Sequence, residues 1–308
     1  MKTVLIVGGS GFIGSNLIQY FCARNYKVVN FSRSPCLINN SNLTNVYGDC
    51  TNIVILNEIF LNHKVDLVIH SLMSFSAYDK LDSCQVHTST NLSAFIDLTN
   101  IMKNHCVNHL IYISSGGSIY GVSDRPIKET HEIAPVSFYG WMKEVSENYL
   151  QFFIRNNPDF KYIIFRPANV YGRFQKLDRL IGVALKSAYL SLPMKIFGDL
   201  NTQKDYIHIN DLCEVIFKAC NSTQWNDVYN IGSGIGTSTL KIIEYAQDIT
   251  KNKIKLNLEK QKNGDVSFNI LNVDKINRDF DKNTFISVKD GMNDMYEYVI
   301  ETLDKEKY

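Results

Sequence analysis

A glycine-rich segment near the first residue constrains what this chain can fold into more than any other feature. It has the spacing GxxGxxG and lies between an apolar run at residues 4–7 and an amphipathic stretch at residues 13–24. Glycines at a strand-to-helix turn permit a tight turn and a close approach of the backbone to a pyrophosphate. The first amides of the following helix then hold the phosphate. The segment predicts a dinucleotide-binding site at Gly8, Gly11, Phe12, Ile13 and Gly14.

Short β-branched runs alternate with longer amphipathic stretches over the first half of the chain. Runs typical of buried strands are found at residues 4–7, 28–31, 67–70, 110–113 and 162–165. Nearly continuous apolar runs fit parallel strands that are covered on both faces. Stretches typical of helices lie between them, at residues 13–24, 53–62, 91–104 and 138–155. This alternation predicts an α/β fold with a Rossmann-type doubly wound parallel sheet.

The alternation weakens after Arg166, and the remaining candidate elements are shorter. We interpret them as a smaller C-terminal α/β lobe for the substrate, interleaved with returns of the chain to the main sheet. We therefore predict a dinucleotide-binding Rossmann domain at residues 1–170 plus about 200–235. The smaller lobe is predicted at about 171–199 plus 236–308.

The composition is that of an ordinary globular protein and narrows the class of partner. Lys and Arg total 32 and Asp and Glu total 31, so the net charge is +1. A general nucleic-acid binder needs a basic surplus to neutralise phosphates. No apolar run approaches the ~18 residues that a membrane span requires, and the apolar run before Gly8 is too short for a signal segment. We expect no nucleic-acid partner, no membrane contact and a cytoplasmic location.

Cysteine and histidine patterns give no indication of a disulfide framework or a metal site. The seven cysteines are odd in number and include no CxxC pair. The seven histidines form no HxH or HxxxH pattern with a nearby carboxylate cluster. We therefore predict no metal and a reducing compartment.

The end of the second predicted strand indicates which nicotinamide cofactor fits. An acidic residue there would accept hydrogen bonds from the adenosine ribose and repel a 2′-phosphate. The chain instead has Ser32 and Arg33 and no acid, and an arginine suits a phosphate. This favours NADP(H), although NAD stays possible and the arginine can also be read as a solvated loop residue. Asp49, after the third predicted strand, is a candidate for holding the adenine amino group.

A Tyr-x-x-x-Lys pair downstream of a serine-rich strand end indicates proton-transfer chemistry. Tyr139 and Lys143 are four residues apart, so a helix places both on one face. A lysine ammonium stabilises a nearby phenolate. The tyrosine can then exchange a proton with a sugar or alcohol oxygen near neutral pH. The same lysine can hydrogen-bond the nicotinamide ribose.

These motifs together resemble the extended short-chain dehydrogenases/reductases of the NAD-dependent epimerase/dehydratase family. That family works mainly on nucleotide-activated sugars, and the resemblance covers nearly the whole chain. Further segments that carry it are residues 91–94, 166–172, 204–211, 264–265 and 274–275.

The resemblance implies roles for several further residues. Asn91 is expected in the nicotinamide pocket, and Asn169 is expected to contact the diphosphate of a nucleotide sugar. Arg173, Lys204 and Lys262 are candidate cations for phosphates. Helices such as the one at residues 138–155 often pair across a dimer contact in this family, which implies a homodimer.

Several positions depart from the family pattern, and one of them is Arg33, which replaces the acid that favours NAD. Gly116 occupies the usual catalytic Ser/Thr position, so Ser118, Ser115 or a water must polarise the carbonyl. Ser118 is preferred slightly, because it lies two residues further on. Lys204 stands where the family commonly has arginine, and it pairs with phosphate as a point charge rather than as a fork. Gly117 and Ser118 stand where dehydratases usually carry an Asp-Glu pair, which disfavours a dehydratase.

The resemblance and Arg33 together predict an NADPH-dependent reductase of a nucleotide-linked 4-keto-6-deoxyhexose, a dTDP- or GDP-sugar. Its product would be an activated deoxysugar for surface polysaccharide. The alternative is a 4-epimerase of a UDP-hexose or UDP-N-acetylhexosamine with tightly bound NAD, because an epimerase returns the same hydride to its substrate. A non-catalytic dinucleotide sensor is a third hypothesis, and the intact Tyr139 and Lys143 argue against it.

Overall fold

The computed structural model describes residues 1–75, 84–259 and 268–305. The chain divides into two compact units, and it enters each of them more than once. The first comprises Met1–Ile119, Ile133–Arg166 and Cys213–Tyr229, and the second comprises Tyr120–Glu132, Pro167–Leu212 and Asn230–Tyr308. Which ligand each unit holds stays a prediction.

Strands and helices alternate along the first unit. In chain order they are β1 Thr3–Val7, α1 Phe12–Cys22, β2 Lys27–Ser32, β3 Leu43–Tyr47, α2 Ile53–Asn62, β4 Leu67–His70, α3 Cys84–Thr88, α4 Ala94–Asn104, β5 His109–Ile113, α5 Phe138–Arg155 and β6 Lys161–Pro167. A π-helical turn, Ser89–Ser93, precedes α4, so the helix predicted at residues 91–104 begins three residues later than expected. Such turns are frequent at functional sites, and this one contains Asn91.

The remaining elements belong to the second unit and to the segment that returns to the first. They are β7 Asn169–Tyr171, α6 Leu180–Tyr189, β8 Met194–Phe197, β9 Gln203–His208, α7 Ile209–Cys220, β10 Asp227–Ile231, β11 Gly236–Ser238, α8 Thr239–Thr250, β12 Leu256–Glu259, β13 Phe268–Asn269, α9 Asp274–Phe280 and α10 Val288–Lys305. The returning segment, residues 213–229, carries most of α7 and the start of β10.

A seven-stranded sheet in the order β10-β6-β5-β4-β1-β2-β3 is the framework of the first unit. Every pairing from β3 across to β6 is parallel. The chain winds outward in both directions from β1, which has β2 on one side and β4 on the other. Ligands of such sheets bind beyond the carboxyl ends of the strands at this switch point. The predicted Rossmann-type doubly wound sheet is confirmed, and the glycine segment follows β1 at its switch point.

Both faces of this sheet are covered, which explains why its strands are apolar almost without interruption. All five residues of β1 are buried. Leu5, Val29, Val68 and Leu110, one from each of four strands, share a core with Phe95 of α4. Each fully buried side chain of this size stabilises the fold by roughly 1.5–3 kcal/mol. The packing therefore fixes the carboxyl ends of the strands relative to one another.

The second unit is the smaller α/β lobe expected for the later part of the chain. β9 is the central strand of its larger sheet, antiparallel to β11 and parallel to β13 and β7. β8 and β12 form a separate parallel pair. Its own core joins α6, α8 and α10 through side chains such as Ala184, Ile243 and Met295. Among the described residues of the whole chain, no helix is long and apolar enough to cross a membrane.

Candidate cofactor and catalytic site

The turn after β1 brings backbone segments so close together that side chains would not fit between them. Gly8 has φ +83°, and a Cβ there would lie 2.9 Å from the Cα of Leu72. A Cβ on Gly14 would collide with the carbonyl oxygen of Gly8 and lie 2.5 Å from the Cα of Gly9. A Cβ on Gly9 would collide with the side-chain oxygen of Asn30. The glycines therefore let α1 start in close contact with the sheet.

The N-terminus of α1 suits an anion. Gly11 is its N-cap residue, no side chain caps it, and its first turn contains no acidic residue. Helix N-terminal amides and the positive end of the helix dipole attract phosphate. Because Gly8, Gly11 and Gly14 have no side chains, a pyrophosphate can approach the main chain closely. The predicted residues at this turn fit a dinucleotide.

Three serines and an arginine gather at the end of β2. The hydroxyls of Ser10 and Ser32 lie 2.7 Å apart, and each lies within 2.8 Å of the carbonyl oxygen of Ser34. The Arg33 side chain is 64% exposed, with Nη1 3.9 Å from Oδ2 of Asp49. A pair so exposed contributes little to stability, so the guanidinium can turn towards a phosphate. The hydroxyls and the arginine form a group that suits a 2′-phosphate.

The carboxylate of Asp49 is held by its own loop. Its Oδ1 accepts hydrogen bonds from the main-chain nitrogen of Thr51 at 3.0 Å and from the Thr51 hydroxyl at 2.7 Å. These bonds, assisted by Arg33, hold the pKa of Asp49 below its ordinary value. The carboxylate is therefore charged at neutral pH. Its role at the adenine amino group stays a prediction.

A pocket lies beside these groups at the carboxyl ends of the strands. Its lining residues are Phe31, Ser32, Arg33, Gly48, Cys50, Leu72, Ser74 and Thr90. Ser32 ends β2, Gly48 follows β3 and Leu72 follows β4. This is the position that the switch point of a doubly wound sheet assigns to a ligand.

Asn91 holds the loop after β4 in place. Its Oδ1 accepts a hydrogen bond from the main-chain nitrogen of Ser74 at 3.0 Å. Its Nδ2 donates to the Ser74 hydroxyl at 2.8 Å and to the carbonyl oxygen of His87 at 2.6 Å. The amide of Asn91 is thus engaged with its own unit, and Ser74 lines the pocket. Asn91 would therefore affect cofactor binding by positioning the loop that carries Ser74.

α5 places Tyr139 and Lys143 one turn apart on the same face. The Lys143 Nζ lies 5.8 Å from the centre of the Tyr139 ring and 4.9 Å from the centre of the Tyr112 ring. It donates a hydrogen bond of 2.6 Å to the carbonyl oxygen of Ile113, the last residue of β5. The lysine is therefore anchored to a strand end next to the tyrosine.

Lys143 lies in an environment that disfavours its charge. Burial lowers the pKa of Lys143 from its ordinary 10.5 to about 7, and the carboxylate of Glu147 opposes this shift. His70, which ends β4, is also buried, and burial lowers its pKa to about 3. His70 is therefore neutral at physiological pH, and Lys143 is close to its titration point. A lysine poised in this way is typical of a functional site.

The turn after β5 carries both candidate serines. It is closed by a hydrogen bond of 3.2 Å from the nitrogen of Ile119 to the carbonyl oxygen of Ser115. Gly140 lies against this turn, because a Cβ there would collide with the carbonyl oxygen of Ser118. Gly140 directly follows Tyr139, so the main chain of Ser118 contacts the residue next to the tyrosine in the chain. Ser118 is half-buried and Ser115 is buried, and which of them acts stays a prediction.

In the second unit, Asn169 and Lys204 lie beside a buried carboxylate. The Asn169 Nδ2 donates a hydrogen bond of 2.9 Å to the carbonyl oxygen of Asp205, and Lys204 precedes Asp205 on β9. Donors to the Asp205 carboxylate, at 2.6–3.3 Å, are the nitrogens of Ser233, Gly234 and Leu271 and the hydroxyl of Ser233. Burial raises the pKa of Asp205 to about 6, although these donors oppose the rise. Asp205 thus joins three backbone segments next to the two candidates.

The other two candidate cations are placed differently. Arg173 forms a two-fold ion pair with Glu301 of α10, with N–O distances of 3.2 and 2.6 Å. A phosphate at Arg173 would compete with that carboxylate. Lys262 lies outside the described residues. Both stay predictions.

Three residues of the site were not found from the sequence. Ser10 lies inside the glycine segment, and its hydroxyl contacts Ser32. Gly140 directly follows Tyr139 and lies against the serine turn. Glu147 follows Lys143 by four residues. The same spacing that indicates the Tyr139–Lys143 pair would have indicated Glu147, whereas nothing local marks the other two.

A glycine turn at the switch point of a parallel doubly wound sheet, with a buried lysine four residues after a tyrosine, defines an extended short-chain dehydrogenase/reductase. Comparison with known proteins agrees with this class. Residues 4–232 match the model of the NAD dependent epimerase/dehydratase family. The chain belongs to this family, as the sequence motifs predict.

Relatives of known name include both reductases and epimerases. A dTDP-4-dehydro-6-deoxyglucose reductase from Escherichia coli is 32% identical over 253 residues, which are 78% of this chain and 79% of that protein. A putative UDP-glucose 4-epimerase from Methanocaldococcus jannaschii is 29% identical over 262 residues, 82% of each chain. The crystal structure of a UDP-glucose 4-epimerase with UDP-glucose from Thermotoga maritima is similar with a TM-score of 0.92 and 27% identity, covering 98% of this chain and 99% of that one.

Proposed function

We propose that this chain is an NADPH-dependent reductase of the 4-keto group of a nucleotide-linked 6-deoxyhexose, a dTDP- or GDP-sugar. The observation that carries the proposal is the end of β2. There Arg33 and the hydroxyls of Ser10 and Ser32 stand where an acidic residue would repel a 2′-phosphate. A reductase takes up NADPH and releases NADP in each turnover, whereas an epimerase retains its NAD. The Escherichia coli relative bears the name of such a reductase.

The residues of the first unit handle the proton, while the bound dinucleotide supplies the hydride. Tyr139 donates its phenol proton to the ketone oxygen as that oxygen becomes an alcohol. The ammonium of Lys143 stabilises the phenolate that is left. Ser118, or Ser115 in its place, donates a hydrogen bond to the same oxygen, and such a donor is worth about 100- to 1,000-fold in rate.

The second unit is proposed to hold the nucleotide sugar. Asn169 is oriented by its hydrogen bond to Asp205, and Lys204 adds a positive charge beside it. A cation and an amide donor suit the two phosphates of a nucleotide diphosphate. Arg173 and Lys262 are further candidates. The product would serve as an activated deoxysugar for surface polysaccharide.

The test is oxidation of NADPH, followed by absorbance, with a panel of dTDP- and GDP-linked 4-keto-6-deoxyhexoses. We expect turnover of at least one of them and its loss in Tyr139→Phe. Absence of turnover with every member of the panel would contradict the proposal. So would a Tyr139→Phe variant that reduces the sugar as fast as the wild type.

The second candidate function is a 4-epimerase with tightly bound NAD. It is favoured by the similarity to a UDP-glucose 4-epimerase structure at 27% identity over nearly the whole chain. Purified protein can be denatured without added cofactor and the released nucleotide assayed. Stoichiometric NAD in the supernatant would overturn the reductase proposal in favour of the epimerase.

Selectivity for NADPH is tested by Arg33→Gln. The variant loses a charge-assisted contact to the 2′-phosphate, so we expect NADPH to bind about 10- to 100-fold more weakly while NADH binding is unchanged. Titration calorimetry with both dinucleotides measures this. Arg155→Gln, at the exposed end of α5, is the matched control and should alter neither affinity. Equal weakening of NADPH and NADH would show that Arg33 does not read the 2′-phosphate.

A further inference from the structure

α5 carries a third ionisable residue in line with the two of the Tyr-x-x-x-Lys pair. Tyr139, Lys143 and Glu147 are each four residues apart, so they follow one another along one face of the helix. Lys143 and Glu147 are both buried. Two oppositely charged groups in successive turns of a helix, away from water, interact more strongly than they would at a surface.

Glu147 is held in place from a neighbouring strand. The Arg166 Nε lies 3.1 and 3.2 Å from the two carboxylate oxygens, and its Nη2 lies 2.6 Å from Oε2. Arg166 is on β6, which pairs with β5. β5 ends at Ile113, whose carbonyl oxygen receives the Lys143 hydrogen bond. Adjacent strands therefore fix the lysine and the glutamate separately.

Burial is what disfavours the charge of the Lys143 ammonium. β4 supplies His70, whose pKa is lowered first by burial and then by the nearby Lys143, so it is neutral. β5 supplies the Tyr112 ring, and α5 supplies the Tyr139 ring. Arg166 is cationic and forms a buried ion pair with Glu147. Among the described residues that face Lys143, Glu147 is the group whose charge favours the ammonium.

We propose that Glu147, oriented by Arg166, is a positioning residue that keeps Lys143 protonated while Tyr139 transfers its proton. The inference rests on the proposed function, because it concerns the same proton transfer. Apolar residues of similar volume often stabilise a core as well as a buried ion pair does. Stability alone therefore does not explain why a charged pair lies one helical turn from Lys143. The hydrogen bonds from Arg166 fix the orientation of the Glu147 carboxylate.

The test is the pH dependence of kcat for ketone reduction in Glu147→Gln. Without the carboxylate, Lys143 should lose its proton at a lower pH. The alkaline limb of the profile should therefore move down by about one pH unit or more. For a shift of one unit from about 7, we expect kcat to fall about tenfold near pH 8 and about twofold near pH 6, and a larger shift would increase both losses. Glu144→Gln removes the same charge from α5 beside Lys143 and should leave the profile unchanged.

A second readout does not depend on turnover. Stability rises with pH where Lys143 is neutral in the folded protein but still protonated in the unfolded chain. In Glu147→Gln this rise should begin at a lower pH than in the wild type, as measured by the urea midpoint across pH. If Glu147 has a structural role alone, the urea midpoint of Glu147→Gln should change by the same amount at every pH, with no shift along the pH axis. That result would overturn the proposal.

The remaining outcomes also discriminate. If Glu147→Gln fails to fold, the double variant Glu147→Gln/Arg166→Gln removes both buried charges and should fold with the same downward shift. An unshifted profile in either variant overturns the proposal. A wild type that reduces no keto-sugar contradicts the proposed function instead, and the stability curves then still decide the role of Glu147.

Discussion

Lys143 is a cation that the fold buries, so the free energy of unfolding must depend on its protonation. Its pKa is about 7 in the folded protein against an ordinary value of 10.5. Between these pH values the unfolded chain binds more protons, so this group makes the protein more stable as pH rises. Below about pH 7 the lysine is charged in both states, and the penalty of burying it is present in full.

Lys143→Met removes that penalty. We expect the variant to be more stable than the wild type near pH 6, with a margin that shrinks as pH rises towards about 10. Urea unfolding across this range measures the difference. Lys64→Met, at an exposed lysine on the same unit, is the control and should show a small offset independent of pH. The same constant offset for Lys143→Met would contradict the pKa assigned to the lysine.

The two candidate serines can be told apart by single variants. The carbonyl oxygen of Ser118 lies against Gly140, which follows Tyr139 in the chain, whereas Ser115 is buried at the start of the turn. We expect Ser118→Ala to lower kcat about 100-fold, as loss of a hydrogen-bond donor to the reacting oxygen does. Ser115→Ala should lower it less than about fivefold. The reverse order would indicate that Ser115, and not Ser118, supplies the hydroxyl that Gly116 lacks.

At the scale of elements, the distance between α5 and the turn after β5 determines how far Tyr139 lies from the candidate serines. The helix begins at Phe138, where Ser137 caps it by accepting a hydrogen bond from the nitrogen of Gly140 at 3.1 Å. Gly140 then faces the carbonyl oxygen of Ser118 with no room for a side chain. This backbone contact thus sets the position of the turn that carries Ser118 relative to the helix that carries Tyr139.

Gly140→Ala tests this contact. The new Cβ must push the serine turn away from α5, because the atom it meets is backbone. We expect kcat to fall at least about tenfold and stability to fall by about 1–3 kcal/mol. Gly182→Ala is a matched control in α6, since its Cβ would lie 2.9 Å from the Cα of Leu177. It should lower stability similarly while kcat per folded molecule stays unchanged, and an equal loss of kcat in both variants would contradict the argument.

At the scale of the whole molecule, α5 also has an outward face that is exposed to solvent in the monomer. Trp141 is 45% exposed and Phe152 is 65% exposed, eleven residues and thus about three turns apart on the same side. Leu150 and Phe153 of the same helix are buried in the core. Exposed aromatic side chains aligned on one helix favour association. The homodimer expected from the family resemblance is consistent with this face and stays a prediction.

Phe152→Glu tests the dimer. A charge on this face should convert a dimer into a monomer, which light scattering coupled to size-exclusion chromatography detects. Leu61→Glu, at a side chain that is 67% exposed on α2, is the control and should leave the mass unchanged. A wild type that elutes as a monomer at all concentrations would contradict the predicted homodimer.

Local pattern alone predicted the strands and helices of the first half of the chain and the Tyr-Lys pair. Continuous apolar runs mark strands buried on both faces, and amphipathic stretches mark helices, because both signals come from residues near in sequence. The helix at residues 53–62 was predicted with its exact bounds, and α5 likewise. The helix predicted at residues 13–24 runs over Phe12–Cys22, and the one predicted at 91–104 begins at Ala94, after a π-helical turn that has no signature in the periodicity. The glycine segment was placed between a strand and a helix for the same local reason.

Tertiary structure alone decided the surroundings of those residues. Arg166 meets Glu147 because β6 lies beside β5 under α5, and Asp205 gathers donors from Ser233 and Leu271, far away in the chain. Such pairs depend on which strands become neighbours, and no local period encodes that. The chain's own sequence therefore specifies that a tyrosine and a lysine share a helix face. Only the folded sheet determines that the lysine is buried, is hydrogen-bonded to a strand end and lies one helical turn from a carboxylate. Burial depends on the packed strands and not on the segment itself.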